Sequence, residues 1–385
     1  MRIGCGLSTS ADPRVAAIEA GQQAAAGLHG TRADIACVFA SGGHLAAPEA
    51  TLEGVHEALA PPVLAGCGAG GVVGDGREVE RGTAVAVWAA ALGEGTAEPF
   101  HLDLIRGDDA LAIGGLPDLD EVTAVVLIPD PYSFPTDAVL GELARRAPGV
   151  PVLGGIASAR TLDGDPALFL GADLCDEGAV GIAFRGIEVL PCVSQGAAPV
   201  GPELTVTAAD GHVIRELAGR RALDALREAI ESLDPEEQTL VASGLLLGVV
   251  IDGNKPEYEQ GDFLVRGVIG ADPDAGTLTV GAPVTEGTVV RLHARDAISA
   301  DRDLRTALEL RREAIGGGAP AGALVFTCNG RGEAMFGIPD HDAATVSEEL
   351  AGAPAAGFFA AGEIGPVGGD PFLHGFTATV AVFPR

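Results

Sequence analysis

The sequence predicts an α/β (α+β) protein of two related domains, each a mixed β-sheet flanked by helices, arising by internal duplication. Two observations lead there. One pattern recurs: an apolar strand ends in a loop, a helical segment follows, then a Gly-punctuated strand and a hairpin-like return strand. Helices interleaved with hairpins give mixed sheets, not a purely parallel one. In addition, 385 residues is long for one core and reads as about two domains. The stretch 191–209 is rich in Pro, Gly, Thr and Ala and marks a boundary. The expected halves are 1–205 and 206–385.

In the first copy the strand is IACVFAS (35–41) and the helix PEATLEGVHEAL (48–59). The return passes through VLAGCGAGG (63–71) to GTAVAVWAA (82–90). The second copy runs AVVLIPD (124–130), TDAVLGELARRA (136–147), VPVLGGIASA (150–159) and GAVGIAF (178–184). The third is looser: GLLLGVVID (244–252), VRGVIGADPDAGTLTVG (265–281) and TVVRLHARD (288–296). The fourth is ALVFTCN, helix AATVSEEL (343–350), GFFAAGEIG and FTATVAVF. The clearest echo matches LAGCGAGGVVGDG to FAAGEIGPVGGD, with Asp75 and Asp370 at like positions. Between the copies, 211–233 reads as an amphipathic helix, because Val213, Leu217, Leu223, Leu226 and Ile230 recur at helical spacing; Gly219 weakens its middle. A further helix at 298–315 has Asp301 and Asp303 near its start and Arg311 and Arg312 near its end, and GGG at 316–318 stops it.

Composition excludes several classes. The formal net charge is −30, from 54 acidic and 24 basic residues, and Lys255 is the only lysine. Such a surface repels phosphate backbones and anionic lipid, so neither nucleic acid nor membrane is expected as a partner. The six cysteines (Cys5, Cys37, Cys67, Cys175, Cys192 and Cys328) form no CxxC pair and sit mostly in apolar runs, as small buried hydrophobes of a reduced compartment do. The N-terminus lacks the apolar core of a signal peptide. No apolar stretch approaches the ~20 residues that span a bilayer. A cytoplasmic protein is expected.

Polar residues of chemical interest cluster in the last sixty positions. Two strand-like runs there break into Gly-rich loops that hold Cys328, Asn329, Arg331, Glu363 and His374. A strand gives a rigid platform, and the loop at its end can present polar groups to a ligand. Arg331 and Arg295 are suited to clamp a carboxylate, or to a structural ion pair; Arg331 with Glu363 is one such pair. Cys328 is either a thiol activated by its cationic neighbour or a small residue closing a strand. Asp340-His341-Asp342, with Glu363 and His374, offers metal-type donors, yet the run also reads as a helix start capped by Asp342. Gly66 to Gly71 matches GxGxxG formally, but VVGDGREVERG after it reads as strand and turn, not as the helix a dinucleotide needs.

The closing segment GFFAAGEIGPVGG…FLHGFTATVAVF, preceded by VFTCNGRG and HARDAISADRDL, resembles the FIST family (F-box and intracellular signal transduction proteins). ADGHVIRELAGRRAL is similar to the opening of that family's C-terminal domain. VFASGG, LAGCGAGG and VLGGIASA…GAVGIAF are similar to its N-terminal domain. The resemblance implies a ligand-sensing module for small metabolites such as amino acids, with Cys328, Asn329, Arg331, Glu363, His374 and Arg295 as the candidate ligand-binding set. Arg331 would take a carboxylate and Glu363 an ammonium group. No F-box or kinase is read within the chain, so a signal would leave through a partner protein such as a kinase. No cofactor is required by this reading; a haem sensor, with His374 or His293 as ligand, and an enzyme using Cys328, Glu363 or His374 are the alternatives.

Overall fold

The computed structural model describes residues 1–106, 111–253, 255, 257–258 and 261–385. Its fold is mixed α/β, as the alternation of strands and helices implies. The chain divides into two compact units. One holds Met1–Val193, Leu304–Leu373 and Ala378–Arg385; the other holds Ser194–Asp303 and His374–Thr377.

The first unit opens with β1 (Arg2–Ser8) and α1 (Pro13–Gly27). Asp12 caps this helix by accepting from Val15 N, and Pro13 fills a first-turn position where no N–H is needed. The first repeat is β2 (Ile35–Ser41), α2 (Pro48–Leu59), β3 (Val63–Ala69), a hairpin of β4 (Val72–Gly74) and β5 (Arg77–Val79), and the return strand β6 (Ala84–Ala91). A hairpin of β7 (Thr96–Arg106) and β8 (Leu111–Gly114) separates it from the second repeat. That repeat is β9 (Val122–Pro129), α3 (Thr136–Arg146), β10 (Val152–Gly155), a hairpin of β11 (Leu168–Leu170) and β12 (Asp173–Cys175), and return strand β13 (Ala179–Arg185). β14 (Leu190–Gln195) leads to the second unit: β15 (Ala197–Asp210), β16 (Val213–Leu217), β17 (Arg220–Arg221), α4 (Ala222–Glu231), α5 (Pro235–Ser243), β18 (Leu245–Val250), β19 (Phe263–Asp272), β20 (Thr277–Val280) and β21 (Val289–Arg295). Helix α6 (Ala297–Ala314) precedes the last repeat: β22 (Gly322–Cys328), α7 (Glu333–Phe336), α8 (His341–Glu349), β23 (Ala355–Ala360), a hairpin of β24 (Glu363–Val367) and β25 (Asp370–His374), and return strand β26 (Thr377–Phe383).

Three repeats share one topology. The second strand runs parallel to the first, as a helical crossover requires, and the return strand pairs antiparallel on the first strand's other side. Each repeat then gives its hairpin away. β4 pairs with β23 of the last repeat, β24 of the last repeat pairs with β10 of the second, and β11 of the second pairs with β3 of the first. The exchange is cyclic, and the same position of each second strand donates into it: Gly68 N to Ala167 O at 2.7 Å, Ile156 N to Gly362 O at 2.8 Å, and Phe359 N to Gly71 O at 3.0 Å.

A glycine recurs at one place in the three parallel pairs. Gly66 faces Val38, Gly154 faces Leu127 and Gly357 faces Val325. A Cβ there would lie 1.8, 1.9 and 1.7 Å from the facing carbonyl oxygen, a distance only a bare Cα allows. Inner faces of the three sheets pack into one core. Trp88, Phe184 and Phe383, one from each return strand, meet there at centroid distances of 5.1 Å (Trp88–Phe383) and 5.7 Å (Phe184–Phe383).

The second unit is antiparallel throughout, in the order β15-β21-β18-β19-β20-β16-β17. β15 also pairs with β16, so the sheet closes on itself. β15 and β19 bend to serve both halves; β15 shifts register between Val200 and Glu203. α4 and α5 pack on an interior of Val206, Ile214, Leu247 and Leu292.

Three expectations change. The looser copy at 244–296 keeps its antiparallel return but has no parallel pair among the described residues, since 265–281 folds as the β19–β20 hairpin. The segment 211–233 is helical only from Ala222; before it, Ala218 (φ 50°) and Gly219 (φ 72°) turn a hairpin whose β-branched Val213 and Ile214 suit a strand. Asp75 lies in the turn of its hairpin, whereas Asp370 opens β25 after the turn at Gly368 and Gly369, so the two aspartates are not structural equivalents.

Gly357→Ala should destabilise the protein by about 3 kcal/mol or more, because backbone must move to admit the methyl group. Gly141→Ala, in α3 with no atom within 4 Å of the new methyl, should stabilise by about 1 kcal/mol. Urea unfolding of both variants checks the pair.

Candidate functional site

The carboxyl ends of the parallel strands carry the polar loops. Ser41, Asp130 and Cys328 occupy the same position, each three residues beyond the residue that faces the conserved-in-place glycine. Ser41 Oγ donates to Gly82 O at 3.0 Å. Asp130 is buried and receives Arg160 Nη2 at 3.1 Å on both oxygens. Where the three second strands end, Ser158 Oγ accepts from Gly70 N at 2.9 Å and donates to Phe359 O, tying three repeats together. The exposed Asn329 sits beside this junction, its Oδ1 3.5 Å from where a Cβ on Gly70 would lie.

Below Asn329, Arg331 is 1% exposed. Its guanidinium forks onto Asp342: Nε to Oδ2 at 2.7 Å and Nη2 to Oδ1 at 2.8 Å. Thr327 Oγ1 also donates to Asp342 Oδ2, and His341 Nδ1 lies 3.0 Å from Oδ1. Phe336 stacks on His341 at 3.4 Å between centroids, and the Arg331 guanidinium lies 5.0 Å over the Phe336 ring. Burial alone would raise the Asp342 carboxyl pKa, but the Arg331 cation and the surrounding hydrogen bonds hold it well below the usual carboxylate range. Burial works against the Arg331 charge too, yet Asp342, Cys328 and Glu363 nearby keep its pKa raised. Two of the three guanidinium nitrogens are thus committed to Asp342, and Nη1 is buried without a partner. The ion pair of Arg331 is with Asp342, eleven residues on, so Asp342 is not the helix cap that its position suggested. Asp340 occupies that place at φ 61°.

Glu363 is fully buried at the start of β24, opposite Gly155. Counting six residues from each glycine, it stands where Val72 stands in the first repeat and Arg160 in the second, so the acidic group at this place is peculiar to the last copy. Cys328 is 8% exposed, and its Sγ accepts from Gly330 N at 3.4 Å. His374 and Arg295 belong to the second unit. There Arg295 lies with its guanidinium 3.9 Å over the Phe376 ring. His293, on the same face of β21, is buried against Phe263 at 4.8 Å; burial pulls its pKa down to about 4, and Gly248 makes room for its ring. No group of three or more His, Cys, Asp or Glu that could hold a metal occurs among the described residues.

The lent hairpin β4–β5 supplies groups that no motif announced. Glu78 N donates to Asp340 Oδ1 at 2.6 Å, Glu78 Oε1 accepts from Ala343 N at 2.9 Å, and Glu80 Oε1 accepts from Glu333 N at 2.7 Å. The hairpin therefore clamps both ends of the segment that carries α7 and leads into α8. Burial, then the Asp342 charge, pushes the Glu78 carboxyl up to about 8, with Glu80 and Asp340 adding to the rise. Its other oxygen, Oε2, is buried and has no partner.

Arg331→Met should cost about 3–5 kcal/mol, since it strands Asp342 as a lone buried charge. Asp342, with a lowered folded pKa, adds stability above the ordinary carboxylate range that is lost as pH falls through its folded value. Glu78 acts in the opposite sense. Its folded pKa exceeds the unfolded one, so the folded state binds the extra proton, and stability falls as pH rises from about 4.5 to about 8. Glu78→Gln should remove that slope and stabilise the protein at pH 9 by about 2 kcal/mol after screening. Denaturant melts across pH 5–9 measure it.

Comparison with known proteins agrees with this architecture. Residues 34–220 match the FIST N domain and residues 222–366 the FIST C domain. The chain is 45% identical over 384 residues to the uncharacterised protein Rv0628c of Mycobacterium tuberculosis strain H37Rv, covering 100% of both chains. It is 44% identical to the uncharacterised protein Mb0898c of Mycobacterium bovis, covering 100% of this chain and 99% of that one. FIST domains are associated with sensory signal transduction. The two domain matches together cover most of the sequence, and the chain belongs to the FIST family.

Proposed function

We propose that the protein is a cytoplasmic sensory module that binds a small carboxylated metabolite, such as an amino acid, and signals through a partner protein such as a kinase. The supporting observation is the junction at the carboxyl ends of the parallel strands. Exposed Asn329 and the bare backbone of Gly70 lie there beside Ser158. Ends of parallel strands are where open α/β sheets bind ligands, since loops from several strands converge and backbone groups face outward. Asn329 offers both a donor and an acceptor to such a ligand. Buried Cys328, Arg331 and Glu363 are proposed to stand behind it, with Arg331 Nη1 a donor not committed to Asp342. In the second unit, His374 and Arg295 are proposed as ligand-facing groups in their own right. No helix among the described residues is long and apolar enough to cross a membrane.

A thermal-shift screen of amino acids and related carboxylates at millimolar concentration tests the reading. A ligand at a hundred times its Kd stabilises by about 2.7 kcal/mol, a rise of about 3 °C for a chain of 385 residues. Asn329→Ala, at an exposed position, should abolish the shift and leave the unliganded melting temperature unchanged. Arg331 is unsuitable as the test because its loss strands the buried Asp342 charge and lowers stability by itself. The absence of any stabilising carboxylate across the screen would remove the proposal.

A further inference from the structure

The turn after β22 brings together the two partners of an intramolecular reaction. Of the chain's two asparagines, Asn254 and Asn329, only Asn329 precedes a glycine. Arg331 N closes the turn by donating to Cys328 O at 2.9 Å, and Asn329 N is tied to Ala360 O at 2.9 Å. Asn329 and Gly330 therefore form the corner, within the first unit.

Three observations decide how this corner reacts. The Asn329 carboxamide is exposed and makes no hydrogen bond among the described residues, so nothing holds it away from its own backbone. The next nitrogen along, Gly330 N, donates only to Cys328 Sγ at 3.4 Å, and a thiol sulfur is a weak acceptor. Its neighbours at 329 and 331 are bound to carbonyl oxygens, so Gly330 N is the one backbone nitrogen of the turn left available. Finally, Gly330 carries no Cβ, which leaves the approach to its nitrogen open and lets the corner rotate. Nucleophile and electrophile are one residue apart, so the reaction between them is unimolecular and has no encounter to wait for.

We propose that Asn329 is a site of spontaneous deamidation, at which this chain converts its own exposed amide into a carboxylate. Gly330 N attacks Asn329 Cγ. The N–Cγ bond forms, the Cγ–Nδ2 bond breaks, and ammonia leaves with the proton of the Gly330 N–H, closing a five-membered imide. Water then opens the ring. Attack at Cγ gives aspartate; attack at the main-chain carbonyl carbon gives isoaspartate, whose backbone runs through the side chain and is one carbon longer. Water is the only co-reactant, and nothing is oxidised or reduced. Both products place a new negative charge at the junction. Their effect on binding rests on the carboxylate reading above: a carboxylated ligand meets repulsion where it met an amide donor, and the product at Asn329 acts as a clock on the site.

Incubation of the full chain at physiological temperature, at neutral and at mildly alkaline pH, beside a synthetic peptide of residues 322–333, tests this. Trypsin places Asn329 in the fragment 313–331, which should gain about one dalton as NH2 is replaced by OH. The gain should be faster at alkaline pH, because the attacking nitrogen must lose its proton. Gly330→Ala should slow it about ten-fold, since a Cβ then crowds that nitrogen. Asn329→Gln, which would need a six-membered ring, should abolish it with the melting temperature unchanged. If the fragment shows no gain by the time half the peptide has converted, or gains only in chain unfolded with urea, the proposal is overturned. A gain that persists in Asn329→Gln overturns it too. The mass readout involves no ligand, so it stands or falls separately from the carboxylate screen. Where that screen finds a stabilising carboxylate, converted protein should lose the thermal shift; a retained shift overturns the effect on binding.

Discussion

Three sheets, each short of a strand that another repeat supplies, impose the main constraint on this molecule. β3, β10 and β23 would each present an unpaired edge if left to their own repeat. Open edges leave backbone donors and acceptors unsatisfied and invite association. The cyclic exchange of hairpins closes all three edges with intramolecular strands, and it brings three loop sets to one place. The glycine facing Val38, Leu127 or Val325 belongs to the same device, since it lets each second strand lie close against the first. The positions of Ser158, Gly70 and Asn329 follow from that arrangement, not from any local sequence preference.

The Arg331–Asp342 pair is a second consequence. Two opposite charges both nearly out of water are costly unless their hydrogen bonds are made. Here Thr327, His341 and the forked guanidinium satisfy Asp342 on both oxygens. Such a pair fixes the loop after β22 in one geometry, which is what a binding surface needs. It also explains why an arginine expected to grip a ligand is mostly occupied. The group best suited to contact a ligand directly is its neutral, exposed neighbour Asn329.

Much of the fold was legible in the sequence. The strand 35–41 and the helix 48–59 occur with those limits, because Pro48 fixes a helix start and a fully apolar run with β-branched members fits a buried strand. The repeating strand–helix–strand–return order was legible for the same reason. Two things were not. Local periodicity cannot show which sheet a hairpin joins, so reading GREVERG as strand and turn said nothing of Glu78 and Glu80, which clamp residues more than 250 positions away. Nor could periodicity tell VIREL from the first turns of a helix, because Val213 and Leu217 suit both; the turn at Ala218 and Gly219 decided it. At the site, Arg331 and Glu363 were visible as unusual charges in an apolar run, but the partner of Arg331 was hidden in a motif that reads equally as a helix cap.

Cyclic exchange also bears on the order in which the protein can be built. The second unit, residues 194–303 for the most part, has its own core and its own closed sheet, and can fold as soon as it is synthesised. The first unit cannot. Its second repeat waits for β24, and its first repeat lends β4 to a strand that begins at Ala355. Nearly three hundred residues emerge between the strand that gives and the strand that receives, and until then the exposed edges have no intramolecular partner. Long-range pairing of this kind folds slowly and is open to aggregation meanwhile. An interval of unpaired edges during synthesis, ending only when the last repeat is released, is written into the topology.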